Sequence, residues 1–445
     1  MDISPSRPST SPMVRSLARR GYVEDEHVVR GSADLYGYDD DGATVLRQSG
    51  IPFVTRILVR RPSDPSASTG DVVIEPLHPS GDMPSAWPRT GRTILREGWT
   101  WVGVTQDPAG LAATKASDPE RYEELDIPFV GLGYDIVSQV AATLRGTQSP
   151  VDVEHLLMTG ASYTGTFQRV FLGDGFHART TRPDGGPAVD GYLIQISSGS
   201  FGIGGYNPIN PDQDRVEVGD PRRTIGDHGV PVIELLGEGE AETHLGATRE
   251  DSDDPAGPYR LYEVPGACHM SGGEAGHGPL APTEEEPSDF PMWAVAGKAL
   301  TNLRDWVVDG TLPPRAERVR HLASQDDGPG GAAPESLPLE RDDLGNAVGG
   351  VRTPWVDVPI ARYFPHSTIK GGSQMAGPPG RPQINLGDIM GCMFRFDSEQ
   401  LRELYGTPDH YQKVFGASLA EAVSSGWIAE ADVDKLTATA ASVEF

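Results

Sequence analysis

The sequence has 445 residues, a formal net charge of −27 and a mean hydropathy of −0.37. No uninterrupted apolar run reaches the roughly 18 residues that a membrane-spanning helix needs, which argues against a transmembrane protein. Because such a negative field repels phosphate backbones, nucleic acid is a disfavoured partner, and we interpret the acidic residues as a solvated surface.

The N-terminus and the small number of cysteines both indicate the cellular compartment of the protein. Residues 1–20 are rich in Ser, Pro and Arg and lack the apolar core of a secretory signal, so we expect a flexible N-terminal segment and a cytoplasmic protein. The two cysteines, Cys268 and Cys392, are too few for a disulfide framework or a zinc cage. We therefore expect both thiols to stay reduced.

The first part of the chain alternates between strand and helix patterns. Apolar, β-branched runs predict strands at 21–32, 51–61, 71–77, 99–104 and 156–161. Helical periodicity predicts helices at 84–97 and 130–145, and a further helix directly after the strand at 156–161. This alternation is typical of βαβ units with parallel strands.

The second part continues the alternation and then becomes irregular. It predicts strands at 189–197, 230–236 and 259–264 and a helix at 291–308. We interpret the Gly-, Pro- and Asn-rich residues 199–229 as a lid-like insertion in a core of residues 21–320. Residues 321–445, with a polar helical pattern at 398–437, are expected to form an extension packed on that core. The predicted fold class is α/β, a mostly parallel central sheet with helices on both faces.

The most informative motif is the stretch from Gly160 to Gly165, in which Ser162 lies among small residues at the junction of a strand and a helix. A nucleophile elbow, G-x-S-x-G, has this form, because its tight turn raises a serine Oγ above the sheet. Here the last glycine falls one position late, with Thr164 in its usual place. The alternative interpretation is an ordinary strand end followed by a helix N-cap serine.

A serine nucleophile needs a base, and the base needs an acid that fixes its tautomer. In an α/β fold with an elbow, the acid follows a later strand. After the strand at 230–236 come a glycine and two carboxylates, Glu238 and Glu240. Hydrolases of this architecture usually carry the acid three residues after that glycine, which favours Glu240. Glu238 is the alternative, and either residue could instead be a solvated loop carboxylate.

His269 is the best candidate for the base among the eleven histidines. It follows the strand at 259–264 and a small-residue turn, and it comes after Glu240 in the order that the architecture requires. His244 and His277 do not follow a strand and are poorer candidates. The sequence thus predicts a Ser-acid-His triad in the expected order.

Acyl transfer also needs an oxyanion hole. The backbone N–H of Tyr163, directly after the serine, is the expected first donor. The second should come from the loop at 77–81, where Pro79 has no N–H and Leu77 or His78 remains. Alternatively, the His78 side chain only caps the turn.

The end of the strand at 99–104 is expected at the same sheet edge. We therefore expect Gln106 and Asp107 to line the substrate pocket, although a plain turn closed by Pro108 is an equal alternative. Aromatic residues that could belong to the pocket or to the core are Tyr163, Trp99, Trp101 and Tyr206.

Taken together, these motifs resemble the bacterial "alpha/beta hydrolase domain" family of the α/β-hydrolase superfamily. The resemblance runs over nearly the whole chain and is carried by residues 21–26, 54–62, 98–106, 160–165, 238–240, 266–269, 344–354 and 426–428. The family elbow usually reads G-x-S-Q-[ST]-G, which includes the late glycine. Tyr163 replaces the usual glutamine, and residues 237–240 replace Ser-Glu-x-Asp/Glu, which leaves both acid candidates open. The resemblance implies a hydrolase but no particular substrate.

The sequence therefore predicts a serine hydrolase of small-molecule carboxylic esters or lactones, acting through an acyl-enzyme with Ser162, His269 and Glu240. The same triad would serve an amidase, peptidase or acyltransferase, and a non-catalytic binding protein is the alternative from another class. No H-x-H or H-E-x-x-H spacing occurs, so we expect neither a metal nor another cofactor. A homodimer is suggested only by analogy with proteins that carry a large C-terminal extension.

Overall fold

A computed structural model describes residues 1–5, 7–198, 209, 223–272, 281–322, 336–377 and 383–445. Most of the insertion predicted at 199–229, together with Tyr206 and His277, lies outside these residues.

The centre of the fold is a large twisted sheet. Its strands are β1 (Asp2–Ile3), β2 (Arg7–Pro8), β3 (Tyr22–Tyr38), β4 (Thr44–Pro62), β5 (Asp71–Pro76), β6 (Thr100–Val104), β7 (His155–Ala161), β8 (Gly191–Gln195), β9 (Val232–Leu236) and β10 (Tyr259–Glu263). They pair in the order β1-β3-β4-β6-β5-β7-β8-β9-β10, and β2 also pairs with β3. Strands β5 to β10 are parallel to one another, whereas β1 to β4 are joined by antiparallel pairs.

Helices lie on both faces of the sheet. They are α1 (Val14–Ala18), α2 (Trp87–Arg96), α3 (Pro108–Ser117), α4 (Gly133–Leu144), α5 (Tyr163–Gly173), α6 (Phe176–Arg179), α7 (Glu238–Thr243) and α8 (Met292–Asp309). Among the described residues, no helix combines the length and the apolar character needed to cross a bilayer.

The parallel strands are buried on both faces, which explains why they read as continuous apolar runs. In β7, Leu156 and Met158 join the core under α4 and α5, while Leu157 and Ala161 join the core under α2 and α8. The period of two along the strand thus supplies two separate hydrophobic layers. This arrangement confirms the predicted mostly parallel sheet with helices on both faces.

The first two long strands extend beyond their predicted ranges. β3 and β4 pair as an antiparallel ribbon up to Tyr38 and Thr44. Residues 46–50 of β4 are exposed and the pairing register shifts within them, so a period-two apolar pattern could not reveal the outer part of the ribbon. The N-terminal segment, predicted to be flexible, pairs with β3 through β1 and β2. Arg7 forms an ion pair with the buried Glu26 at 2.8 Å, which ties the segment to the sheet.

The C-terminal extension contributes to the same core. The short strand β11 (Glu286–Pro287) precedes the extension. The strands of the extension are β12 (Ala361–Phe364), β13 (Met375–Ala376), β14 (Ile384–Asn385) and β15 (Cys392–Arg395). Its helices are α9 (Pro354–Asp357), α10 (Leu386–Ile389), α11 (Ser398–Tyr405), α12 (Pro408–Ser424) and α13 (Val433–Ala441). Its Trp355, Tyr411 and Phe415 pack in one apolar cluster with Trp306 of α8. The helical pattern at 398–437 is therefore three helices, and the division of the chain into core and extension stays a prediction.

Candidate active site

Ser162 lies between the end of β7 and the start of α5, near the middle of the sheet. Its backbone has φ 57° and ψ −122°, a conformation that a non-glycine residue adopts at a cost of about 1–3 kcal/mol. The Ser162 N–H donates to the Gln195 carbonyl at the end of β8 (3.0 Å), which fixes the turn to the neighbouring strand. This strained turn is the geometry of a nucleophile elbow and turns the hydroxyl towards the carboxyl edge of the sheet.

The late glycine of the motif has a packing explanation. A Cβ added at Gly165 would lie 2.7 Å from the Ser197 Cβ and 2.8 Å from the Gln195 carbonyl oxygen. A side chain at residue 165 of α5 would therefore collide with the end of β8. Position 164 instead has room for a side chain. The Thr164 hydroxyl donates to the Ala161 carbonyl (3.0 Å) and lies 2.7 Å from the Ser85 hydroxyl, which ties the elbow to the loop before α2.

Ser162, His269 and Glu240 form a continuous chain of hydrogen bonds. His269 Nε2 lies 2.9 Å from Ser162 Oγ, and His269 Nδ1 lies 2.6 Å from Glu240 Oε1. The other oxygen of Glu240 accepts the Gly237 N–H at 3.1 Å. Glu240 follows β9 and His269 follows β10, so the parallel strands carry all three residues to one edge of the sheet.

The electrostatics favour an ionised Glu240. Burial by itself raises the pKa of this fully buried carboxyl, but the charge and hydrogen bond of His269, the Gly237 amide and the charge of Arg89 together hold the pKa below its ordinary value. An ionised carboxylate only accepts hydrogen bonds, so His269 carries its proton on Nδ1. Nε2 is then a lone-pair acceptor directed at the serine hydroxyl. A group in this arrangement can remove a proton from a hydroxyl.

The alternative acid, Glu238, has different partners. Its carboxylate accepts the Gly266 N–H at 2.6 Å and forms an ion pair with Arg341 at 2.8 Å. Burial raises its pKa, and Arg341 only partly offsets that effect. Glu238 thus links the turn before His269 to Arg341 of the C-terminal extension. Of the two carboxylates, it is Glu240 that contacts the imidazole.

Arg89 of α2 is a residue that the sequence did not single out. Its guanidinium is buried and donates to the backbone carbonyl of His269 at 2.6 Å. It also acts electrostatically on Glu240. Two other arginines, Arg92 and Arg96, lie in the same helix, so no local pattern could have distinguished this one.

The loop at 77–81 follows β5 as expected, but its backbone donors are engaged. Leu77 N–H donates to the Val104 carbonyl (2.8 Å), and His78 N–H donates to the Met83 carbonyl (2.8 Å). The remaining two donors of the loop stay within it: Ser80 N–H donates to His78 Nδ1 (3.0 Å), and Gly81 N–H to the Pro79 carbonyl (3.0 Å). The backbone N–H groups of Leu77 and His78 are therefore not available to an oxyanion, whereas the sequence predicted one of them as the second donor.

The His78 side chain faces the site instead. Its ring meets the Tyr163 ring edge to face, with 5.7 Å between the centroids. Burial and the nearby charge of His269 lower the pKa of His78 to about 4, so the imidazole is neutral at ordinary pH.

Gln106 and Asp107, expected to line a pocket, have structural partners. Gln106 is buried, and its Nε2 donates to the Leu77 carbonyl at 3.1 Å. Asp107 caps α3 by accepting the Ala109 N–H at 2.8 Å. Their role in a substrate pocket stays a prediction. The alternative of a plain turn closed by Pro108 is not what the structure has, because Pro108 begins α3.

The remaining candidates lie elsewhere. His244 is buried at the end of α7, within electrostatic reach of Arg169 and Arg223. Trp101 is fully buried against Trp87 in the core. Cys268 and Cys392 are free thiols, as expected. Within the part of the chain that the structure describes, no group of three or more His, Cys, Asp or Glu is arranged to hold a metal ion.

Comparison with known proteins gives one extensive match. The family described as "Alpha/beta hydrolase domain" matches residues 2–438. No curated protein matches. Among solved structures, the chain is similar to the esterase Est22 (11% identity, TM-score 0.30, 50% of this chain and 67% of that one). It is also similar to a fungal esterase from Rhizomucor miehei (14%, 0.34, 68% and 94%) and to a thermostable esterase from Pseudomonas putida ECU1011 (12%, 0.31, 56% and 78%). At such identities and TM-scores these likenesses carry no argument about activity.

Proposed function

We propose that this chain, which belongs to the alpha/beta hydrolase domain family, is a serine hydrolase of carboxylic esters, with lactones as a second substrate class. One observation carries the proposal: the unbroken series of hydrogen bonds from Ser162 Oγ through His269 to the buried Glu240. A buried acid, an oriented imidazole and a hydroxyl on a strained turn are the parts that nucleophilic acyl transfer requires.

The first half of the reaction forms an acyl-enzyme. His269 Nε2 takes the proton of Ser162 Oγ as the oxygen attacks the ester carbonyl carbon, and the C=O electron pair moves onto the carbonyl oxygen. When that pair returns, the bond to the alcohol oxygen breaks, and His269 gives its proton to the departing alcohol. Glu240 stabilises the imidazolium that exists between these two proton transfers.

The second half restores the enzyme. Water takes the place of the alcohol, His269 removes its proton, and the hydroxide attacks the acyl carbon. The second tetrahedral intermediate collapses with loss of Ser162 Oγ, which recovers its proton from His269. A lactone follows the same steps, except that its alcohol stays attached to the acyl group.

The negative oxygen of each intermediate needs donors. The backbone N–H of Tyr163 is the proposed first donor, since it follows the nucleophile at the N-terminus of α5, where the helix dipole favours negative charge. The neighbouring loop at 77–81 cannot add a backbone donor at Leu77 or His78, because both N–H groups are engaged.

The direct test is a panel of chromogenic esters of increasing acyl length, with lactones followed by a pH indicator. We expect hydrolysis by the wild type and none above background by Ser162→Ala. Anilides and transfer to added alcohols in the same panel distinguish an amidase, peptidase or acyltransferase. Equal rates for the two proteins, or no turnover of any ester or lactone, would contradict the proposal.

A further inference from the structure

An oxyanion hole needs a second hydrogen-bond donor besides the backbone N–H of Tyr163. All the backbone N–H groups of the loop at 77–81 are engaged, and Pro79 has none. A side chain of the same loop does face the site. We propose that the Nε2–H of the His78 imidazole is the second oxyanion donor, a catalytic role that rests on the proposed acyl transfer at Ser162.

The tautomer of His78 is set by its neighbour. Ser80 N–H donates to His78 Nδ1 at 3.0 Å, so Nδ1 presents its lone pair. A neutral imidazole carries one N–H, which must therefore be on Nε2. Since burial and His269 keep the pKa of His78 at about 4, the ring holds this single proton at neutral pH. The residue is thus a permanent donor that does not compete with His269 for the serine proton.

The position of the ring fits the role. The His78 ring packs edge to face on Tyr163, the residue that supplies the first proposed donor, and lies within electrostatic reach of His269. No hydrogen bond of His78 Nε2 is present among the described residues, although all the backbone N–H groups of the loop are engaged. An N–H that the resting protein does not use, on a ring in contact with the residue after the nucleophile, is suited to an acceptor that appears only during the reaction.

The backbone that carries the ring is rigid. His78 bridges Met83 across the turn, and the Leu77 carbonyl accepts Gln106 Nε2 at 3.1 Å. Asp82, at the far side of the turn, forms an ion pair with Arg56 at 2.9 Å. The donor is therefore held in place before the substrate arrives, and electrostatic stabilisation needs this preorganisation.

Two substitutions test the role. His78→Leu removes the donor and should lower kcat by about 10²–10³-fold with KM little changed, because the lost bond forms only in the transition state. His78→Gln, which keeps an amide N–H at similar reach, should recover part of the rate. His155→Leu, at the opposite end of β7 from Ser162, is the matched control and should keep kcat.

Two further measurements separate this role from a structural one. A trifluoromethyl ketone, whose adduct carries the oxyanion, should lose affinity for His78→Leu by the same factor as kcat. Nitrogen-15 spectra of the resting protein should show the Nε2–H tautomer of His78, whether or not any variant folds.

Either the Nδ1–H tautomer or a folded His78→Leu with kcat within about tenfold of the wild type would overturn the inference. If the wild type itself shows no Ser162-dependent hydrolysis, it is the proposed function that fails.

Discussion

The most specific prediction concerns Glu240→Gln. Glu240 accepts two hydrogen bonds, one from His269 Nδ1–H and one from the Gly237 N–H. A glutamine offers one oxygen and one NH₂ group, so the two donors cannot both be satisfied at this buried position. If the amide oxygen turns to Gly237, its NH₂ faces Nδ1 and forces the proton of His269 onto Nε2. The imidazole then donates to Ser162 and can no longer accept its proton.

The expected magnitude follows from that change of tautomer. The corresponding loss of the buried acid in a serine-protease triad lowers kcat by about 10⁴-fold, or about 5 kcal/mol of transition-state stabilisation. Glu238→Gln is the matched control, because it makes the same chemical change two residues away. Its partners are Gly266 and Arg341, so it should lower thermal stability and leave kcat within about tenfold of the wild type.

The assay is the steady-state rate of a chromogenic ester for both variants, with their melting temperatures measured in parallel. A loss of orders of magnitude in Glu238→Gln, with Glu240→Gln near the wild type, would move the acid to Glu238. If both variants keep kcat within about tenfold, the inference that a buried acid orients His269 is refuted.

Three further predictions concern the surroundings of the site. Arg89→Met removes the donor to the His269 carbonyl and should lower kcat by about 10²-fold, because the imidazole is then misplaced. Arg92→Met, on the outer side of the same helix, should leave kcat unchanged. The steady-state kcat of both variants tests this. Gly165→Ala should lower the unfolding free energy by about 1–3 kcal/mol, because its Cβ would collide with Ser197 and the Gln195 carbonyl; denaturant unfolding measures this. Burial raises the pKa of Glu75 from 4.5 to about 7. The folded protein therefore keeps this proton where the unfolded chain releases it, so the group's contribution to stability falls as pH rises from 4.5 to about 7. Glu75→Gln should flatten that part of the stability profile, and an unchanged slope would contradict the assignment.

The sequence was most informative where local pattern and tertiary structure agree. The parallel strands are buried on both faces, so their apolar runs were visible without any partner. Helix α3 was missed, because its signal is a proline and an N-cap aspartate that also occur in a turn. The outer part of the β3–β4 ribbon could not be predicted, because shifts in its pairing register break the period of two along β3 and residues 46–50 of β4 are exposed.

At the site, the order of residues along the chain could be predicted, but their hydrogen bonds could not. Ser162, Glu240 and His269 were selected by strand order, and the structure brings all three together. In the sequence, Glu238 and Glu240 are both carboxylates shortly after β9. Their roles differ because Glu238 bonds to Gly266 and Arg341, and these contacts cannot be read from the sequence. Arg89 and the engaged N–H groups of the loop at 77–81 involve contacts that no local pattern encodes.

The central claim is that His269 and Glu240 activate Ser162. Labelling of the native protein with a fluorophosphonate probe, followed by peptide mapping, tests it most directly, because the probe reacts with an activated serine and needs no knowledge of the substrate. We expect one labelled serine, Ser162, with no labelling in Ser162→Ala and strongly slowed labelling in Glu240→Gln. A folded wild-type protein that stays unlabelled, or a label that persists in Ser162→Ala, would contradict the claim.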